Sequence, residues 1–229
     1  MTAQLILPIE VEDQKSFDNF MDAPNQRLVV RLKQQFNQQL SAPEPQYLGV
    51  YLWGELGNGK SHLLAALVRS LPSSDVVQIL RADNLKLRSR PGLIYILDDL
   101  EGFTTSLAAE QAFLTVLEKI KQQNALLLIT ASVPIRALAL KLADLSSRLS
   151  AMEQFELLAL NDAQKRAVLC QRAEKRGIEL NEDILNWLFT HTSRELGLLL
   201  DLLDQLDVHS LAHKRKVTIP LIKSMLSAS

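Results

Sequence analysis

Apolar residues in this chain follow two rhythms, and the alternation between them outlines a fold. Between Pro24 and Leu40, the residues Leu28, Val29, Leu32, Phe36 and Leu40 recur at helical spacing, and Ser41-Ala42-Pro43-Glu44-Pro45 breaks the run. Tyr47 to Trp53 is a compact apolar stretch ending at Gly54, with the length of a strand. Lys60 to Leu71 returns to helical spacing through Leu63, Leu64 and Leu67 until Pro72 stops it. Val76 to Leu80, Leu93 to Leu97 and Leu126 to Thr130 are short apolar runs bounded by polar or turn residues, the pattern of strands covered on both faces. Between the last two, Leu107, Phe113, Leu114, Leu117 and Ile120 predict a helix over Ser106 to Gln123, the crossover that parallel neighbours require. Pro134 to Leu149 reads as a further helix and Phe155-Glu156-Leu157-Leu158 as a last strand.

After Leu160 the strand rhythm stops. Asp162 to Arg176, Asn181 to Thr190, Ser193 to Leu211 and Ile219 to Leu226 all read as helices, with Asn161 and Asn181 as N-caps and Gly177 as a helix stop. The predicted organisation is an extended tail over 1–15, an α/β domain with a parallel sheet of about five strands over 16–160, and a small all-α lid over 161–229. No internal repeat is present.

Composition narrows the function classes. With 229 residues, 47% of them hydrophobic, the chain is long enough to bury a core, so disorder is a poor reading. Lys and Arg total 25 against 26 Asp and Glu, without the basic excess of an autonomous nucleic-acid reader, so no strong direct nucleic-acid binding is expected. The cluster His213-Lys214-Arg215-Lys216 reads as a solvated loop. Cys170 has no second cysteine to pair with, which fits a reducing compartment. No apolar run approaches the roughly 18 residues of a membrane span, and the start lacks a basic n-region, so no membrane and a cytoplasmic address are expected. His62, His191, His209 and His213 are too dispersed for a metal set.

Two motifs carry chemistry. Gly54-Glu55-Leu56-Gly57-Asn58-Gly59-Lys60-Ser61 has the P-loop spacing, with a strand before it and a helix opening after it. Backbone N–H groups of Gly54, Gly57, Asn58 and Gly59 and of the helix start can surround phosphate oxygens. Lys60 brings a point charge to the β- and γ-phosphates, and Ser61 a Mg²⁺ ligand. His62, the next residue, is counted with this cofactor-binding run, although a helix position there equally packs or meets solvent. Asp98 and Asp99 end a buried strand, where open α/β sheets bind ligands. Asp98 suits Mg²⁺ held through water, and Asp99 suits a catalytic role in polarising an attacking water.

In order and spacing, the P-loop, Asp98-Asp99, Leu145-Ser146-Ser147-Arg148-Leu149 and Ser193-Arg194-Glu195-Leu196 resemble the ATPase region of the DnaA family of AAA+ proteins. The resemblance covers nearly the whole chain. It is closer still to those DnaA-related regulators of replication initiation that lack DnaA's added DNA-binding domain, since this chain is expected to stop after the lid. The resemblance implies a P-loop AAA+ domain with a lid, ADP or ATP with Mg²⁺ as cofactors, Arg148 as an arginine finger acting on a neighbour's nucleotide, and Arg194 as a phosphate-sensing lid residue. It also implies that Gln4-Leu5-Ile6-Leu7-Pro8-Ile9 is a sliding-clamp-binding motif, with Gln4 for a polar pocket and Leu5, Leu7, Pro8 and Ile9 as its apolar part. The segment from Phe17 to Leu28, with Asn25, resembles the part that frames the adenine.

Two departures stand out. Ala131-Ser132-Val133 follows Thr130 where the family shows an acid and an arginine, leaving the sensor-1 role open between Thr130 and Ser132. Ala151-Met152 replaces the family's Trp-Gly beyond Arg148. The expected partners are the DNA polymerase sliding clamp and DnaA, whose ATP hydrolysis the chain would stimulate to repress re-initiation. The alternatives are a self-assembling AAA+ motor or helicase-loader-type ATPase, working as a homo-oligomer, and a plain binding adaptor.

Overall fold

The computed structural model describes residues 17, 20, 24–71, 73–88, 92–213 and 217–226, with 208–213 described by backbone alone. Helix α1 (Gln26–Ser41) leads into β1 (Leu48–Trp53) and α2 (Lys60–Arg69). Then come β2 (Val77–Leu80), β3 (Ile94–Leu97), α3 (Leu107–Gln122), β4 (Leu126–Ala131), α4 (Ala143–Ser150) and β5 (Glu153–Glu156). The strands form one parallel sheet in the order β2-β3-β4-β1-β5. Helices α5 (Asp162–Lys175), α6 (Glu182–His191), α7 (Leu196–His213) and α8 (Ile219–Leu226) follow as a C-terminal lid.

Alternation along the central strands divides the core. Val50 and Leu52 of β1, Ile94 and Ile96 of β3, and Leu126 and Leu128 of β4 pack on α1 and α2 through Leu32, Phe36, Leu63 and Leu67. Tyr51, Tyr95, Leu97, Leu127 and Ile129 point to the other face, against Phe113, Ile120, Leu145 and Leu149 of α3 and α4. The lid has its own cluster, in which Leu169, Leu188, Leu203, Leu206 and Ile222 meet. Among the described residues no helix is long and apolar enough to cross a membrane.

Two expected elements shift. The last strand lies at Glu153–Glu156 instead of Phe155 to Leu158, because it is an edge strand whose residues are only partly covered and need not be apolar. Leu157, which drew the assignment forward, is buried beneath the loop that follows β1. The helix expected over Pro134 to Leu149 is a short 3-10 turn at Ile135–Ala137 and then α4, which starts only at Ala143. Glu110 of α3 explains the late start. Its fully buried carboxylate accepts from Lys141 N–H at 2.9 Å and Leu142 N–H at 2.8 Å, capping α4 from a different helix. The N-caps expected at Asn161 and Asn181 are formed, the first as a reciprocal capping box with Gln164, and the chain turns at Gly177 after α5.

Candidate nucleotide site

The site starts where β1 ends. A Cβ on Gly54 would lie 2.6 Å from the Leu157 carbonyl, so only glycine lets the chain after β5 close on the loop. Asn58 fastens the loop from the other side, its Nδ2 donating to the same carbonyl at 3.1 Å. Gly59 reverses the chain at φ 93° directly before α2, a left-handed conformation that strains any residue with a Cβ. The loop therefore hands over to the open N–H groups of the first turn of α2. Lys60 curls back across it, its Nζ donating to the carbonyls of Gly54 and, at 3.0 Å, Glu55.

The ends of β3 and β4 supply the acidic side. Ser61 Oγ donates to Asp98 Oδ2 at 3.1 Å, joining the start of α2 to the end of β3. Thr130, buried on β4, donates its hydroxyl to Asp98 Oδ1 and accepts from Asp99 N–H at 3.0 Å. Asp99 adopts φ 67° and ψ 78°. Its pKa lies above the usual 3.8, first because of a hydrogen bond with Glu101, then burial and the charges of Glu101 and Asp98, with Lys60 pulling the other way. Burial alone would raise Glu101, but hydrogen bonds from Ser132 and Asp99 outweigh it and hold that carboxyl below its usual range. Ser132 reaches Glu101 through both N–H, at 2.7 Å, and Oγ. Of the two sensor-1 candidates, Thr130 thus touches the Asp98-Asp99 pair and Ser132 touches Glu101. Glu101 escaped the sequence reading; its signal was a third carboxylate three residues after Asp98.

A cleft of about 400 Å³ opens over the loop, with Lys60, Ser61 and His62 on one side and Val168, Arg172 and Leu200 of the lid on the other. The His62 ring meets Phe20 edge-on with centroids 5.4 Å apart. Asn25 lines the cleft but is committed to the backbone: its Nδ2 donates to Leu158 O at 2.9 Å and its Oδ1 accepts from Leu158 N–H at 2.8 Å. The donor chemistry fits a magnesium nucleotide. Ser61 and Asp98 offer hard oxygen ligands, few enough to suit an ion that keeps several waters, and the loop offers N–H groups for phosphate oxygens. Among the described residues no group of three His, Cys, Asp or Glu is placed to hold a metal by itself.

Arg148 and Arg194 lie apart from this cluster. Arg194 Nε donates to Phe189 O at 3.0 Å and its Nη1 pairs with Asp162 at 3.0 Å, outside the residues that line the cleft. Arg148 pairs with Glu118 of α3 and, at 3.1 Å, with Asp144 one turn back. It lines a separate hollow of about 320 Å³ with Leu48, Gly49 and Glu153, at the beginnings of β1 and β5. Burial pushes the phenol of Tyr47, in the same hollow, up to about 12, partly opposed by Arg148. Gln4, Leu5, Leu7, Pro8 and Ile9 lie outside the described residues.

Comparison with known proteins places this geometry. The family described as "Hda, lid domain" matches residues 162–226. An uncharacterized protein of Haemophilus influenzae is 33% identical over 240 residues, covering 99% of this chain and 100% of that one. The lid, residues 162–226, belongs to the Hda lid-domain family, and the chain as a whole has the DnaA-like AAA+ fold. Domain III of the replication initiation protein DnaA from Thermotoga maritima superposes with a TM-score of 0.74 at 17% identity, covering 93% of this chain and 96% of that one. AMPPCP-bound DnaA from Aquifex aeolicus gives 0.64 at 17% identity over 87% of this chain and 68% of that one. At such identities the shared property is the fold. Within this chain the P-loop, Ser61, Asp98, Asp99 and Thr130 meet at one end of the sheet, whereas Arg148 stands at the other.

Proposed function

We propose that this chain is a nucleotide-holding, cytoplasmic regulator of replication initiation. It binds ADP or ATP with Mg²⁺ at the P-loop, docks on the sliding clamp through Gln4 to Ile9, and applies Arg148 to ATP held by DnaA. The observation that carries this reading is the placement of Arg148 at the start of β1, while the P-loop leaves its end. Five residue steps of strand separate the two by roughly 17 Å at about 3.3 Å each. Arg148 is thus badly placed for its own chain's nucleotide and well placed for a neighbour's. The AMPPCP bound by Aquifex DnaA supports an adenine nucleotide as the ligand of this fold.

In this reading Gly54, Gly57, Asn58 and Gly59 give the backbone cradle, and Lys60 exchanges the Gly54 and Glu55 carbonyls for phosphate oxygens. Ser61 and Asp98 hold the magnesium ion, which supplies charge neutralisation when bound, and Thr130 keeps Asp98 turned toward Ser61. Arg148 leaves Glu118 and Asp144 to stabilise transition-state charge on the neighbour, an effect worth ~10³ to 10⁵ in rate for such arginines. Arg148→Ala should abolish stimulation of DnaA's ATP hydrolysis and leave clamp binding intact; unchanged stimulation would remove the finger role. A second reading, a self-assembling motor or helicase loader, draws on Asp99, whose raised pKa makes it a stronger base once ionised. Steady-state ATP turnover by the purified chain, rising as it self-associates, would favour that reading.

A further inference from the structure

The lid side of the cleft is one face of α5, where Val168, Gln171, Arg172 and Lys175 recur at helical spacing, joined by Leu196, Leu200 and Asp201 of α7. Within that face Arg172 carries an anomaly. Its Nε is buried and has no hydrogen-bond partner among the described residues. A guanidinium only donates, so an oxygen or a ring nitrogen must come to it, and burying such a donor unmet is unfavourable. The nearby carboxylate of Asp204, in the same cleft, does not answer it, since it pairs with Arg176.

We propose that Arg172 is a ligand of the nucleoside half of the bound nucleotide, donating from the lid to an acceptor on the base or ribose. The inference rests on the reading of the P-loop as a nucleotide site. The loop N–H groups, Lys60 and Ser61 occupy the phosphate end of the cleft. The rest combines apolar Leu160, Val168, Leu196 and Leu200 with a few polar side chains, the mixed lining a base and sugar take. Arg172 supplies in that lining a directional donor that is buried and unpartnered among the described residues.

Binding of Mg-ADP and Mg-ATP to the full chain, measured by calorimetry, tests this with Arg172→Ala, Arg172→Gln and Arg194→Ala. Arg172→Ala and Arg172→Gln should each weaken both nucleotides by the same factor, about tenfold, while melting of the nucleotide-free protein is unchanged for the glutamine variant. Arg194→Ala should weaken ADP less than either does. If the wild-type chain binds neither nucleotide, the P-loop reading itself fails. If it binds both and Arg172→Gln, folded, binds them equally well, this inference alone is overturned. A loss confined to ATP would move Arg172 to the γ-phosphate and overturn the nucleoside assignment.

Discussion

Thr130 is a small side chain with a large share of the acidic site. Its hydroxyl, shut away from solvent, donates to Asp98 and accepts from the Asp99 N–H, so one oxygen fixes the side chain of the first aspartate and the backbone of the second. Thr130→Val keeps the shape and removes both bonds. Urea denaturation should register a loss of about 1–2 kcal/mol, and Mg-dependent ADP binding should weaken with it, because Asp98 is no longer turned toward Ser61. Sequence reading identified Ser61, Asp98 and Asp99 because their spacing is local and motif-bound. The part played by Thr130 depends on β3 lying beside β4 in the register that pairs Leu97 with Ile129, a non-local fact. Glu101 and Arg172 were missed for the same reason: each gains meaning only from a partner, or the lack of one, supplied by another element.

At the scale of elements, the chain's handovers matter more than its regular stretches. The start of α4 has no side-chain cap of its own and is held by Glu110 from α3, which places the helix that carries Arg148. Glu110→Ala would leave the N–H groups of Lys141 and Leu142 without partners in a buried setting. A destabilisation of roughly 2–4 kcal/mol is expected by denaturant midpoint, and Glu110→Gln, which keeps an acceptor, should recover part of it. The same bond explains why the sequence showed a helix near Pro134 to Leu149 but not its beginning: the capping residue is in a different helix, 31 residues earlier than Lys141. Where the cap is local, as at Asn161 and Asn181, the boundary could be read directly. β5 was misread by two residues because an edge strand carries little of the apolar run that marked β3 and β4.

For the whole molecule, the sheet is clad on both faces while the lid keeps a separate core, and the cleft runs between them. A ligand that touches both parts stabilises their joint arrangement by mass action. Mg-ADP at a hundred times its dissociation constant should add about 2.7 kcal/mol, seen as a rise in melting temperature that Lys60→Ala removes. The layered fold and the lid were legible from periodicity alone, since helix and strand rhythms change cleanly at Leu160. What the rhythms did not carry was which ends of the strands face which neighbours. That geometry has a directional consequence. β1 presents the P-loop at one tip and the Arg148 hollow at the other, so a contact that joined arginine to a P-loop ligand would join unlike surfaces. Two molecules docked in this way leave one arginine and one loop unmatched at the outer ends. A row built from such contacts has a head and a tail, and a member without a loop to offer would terminate it.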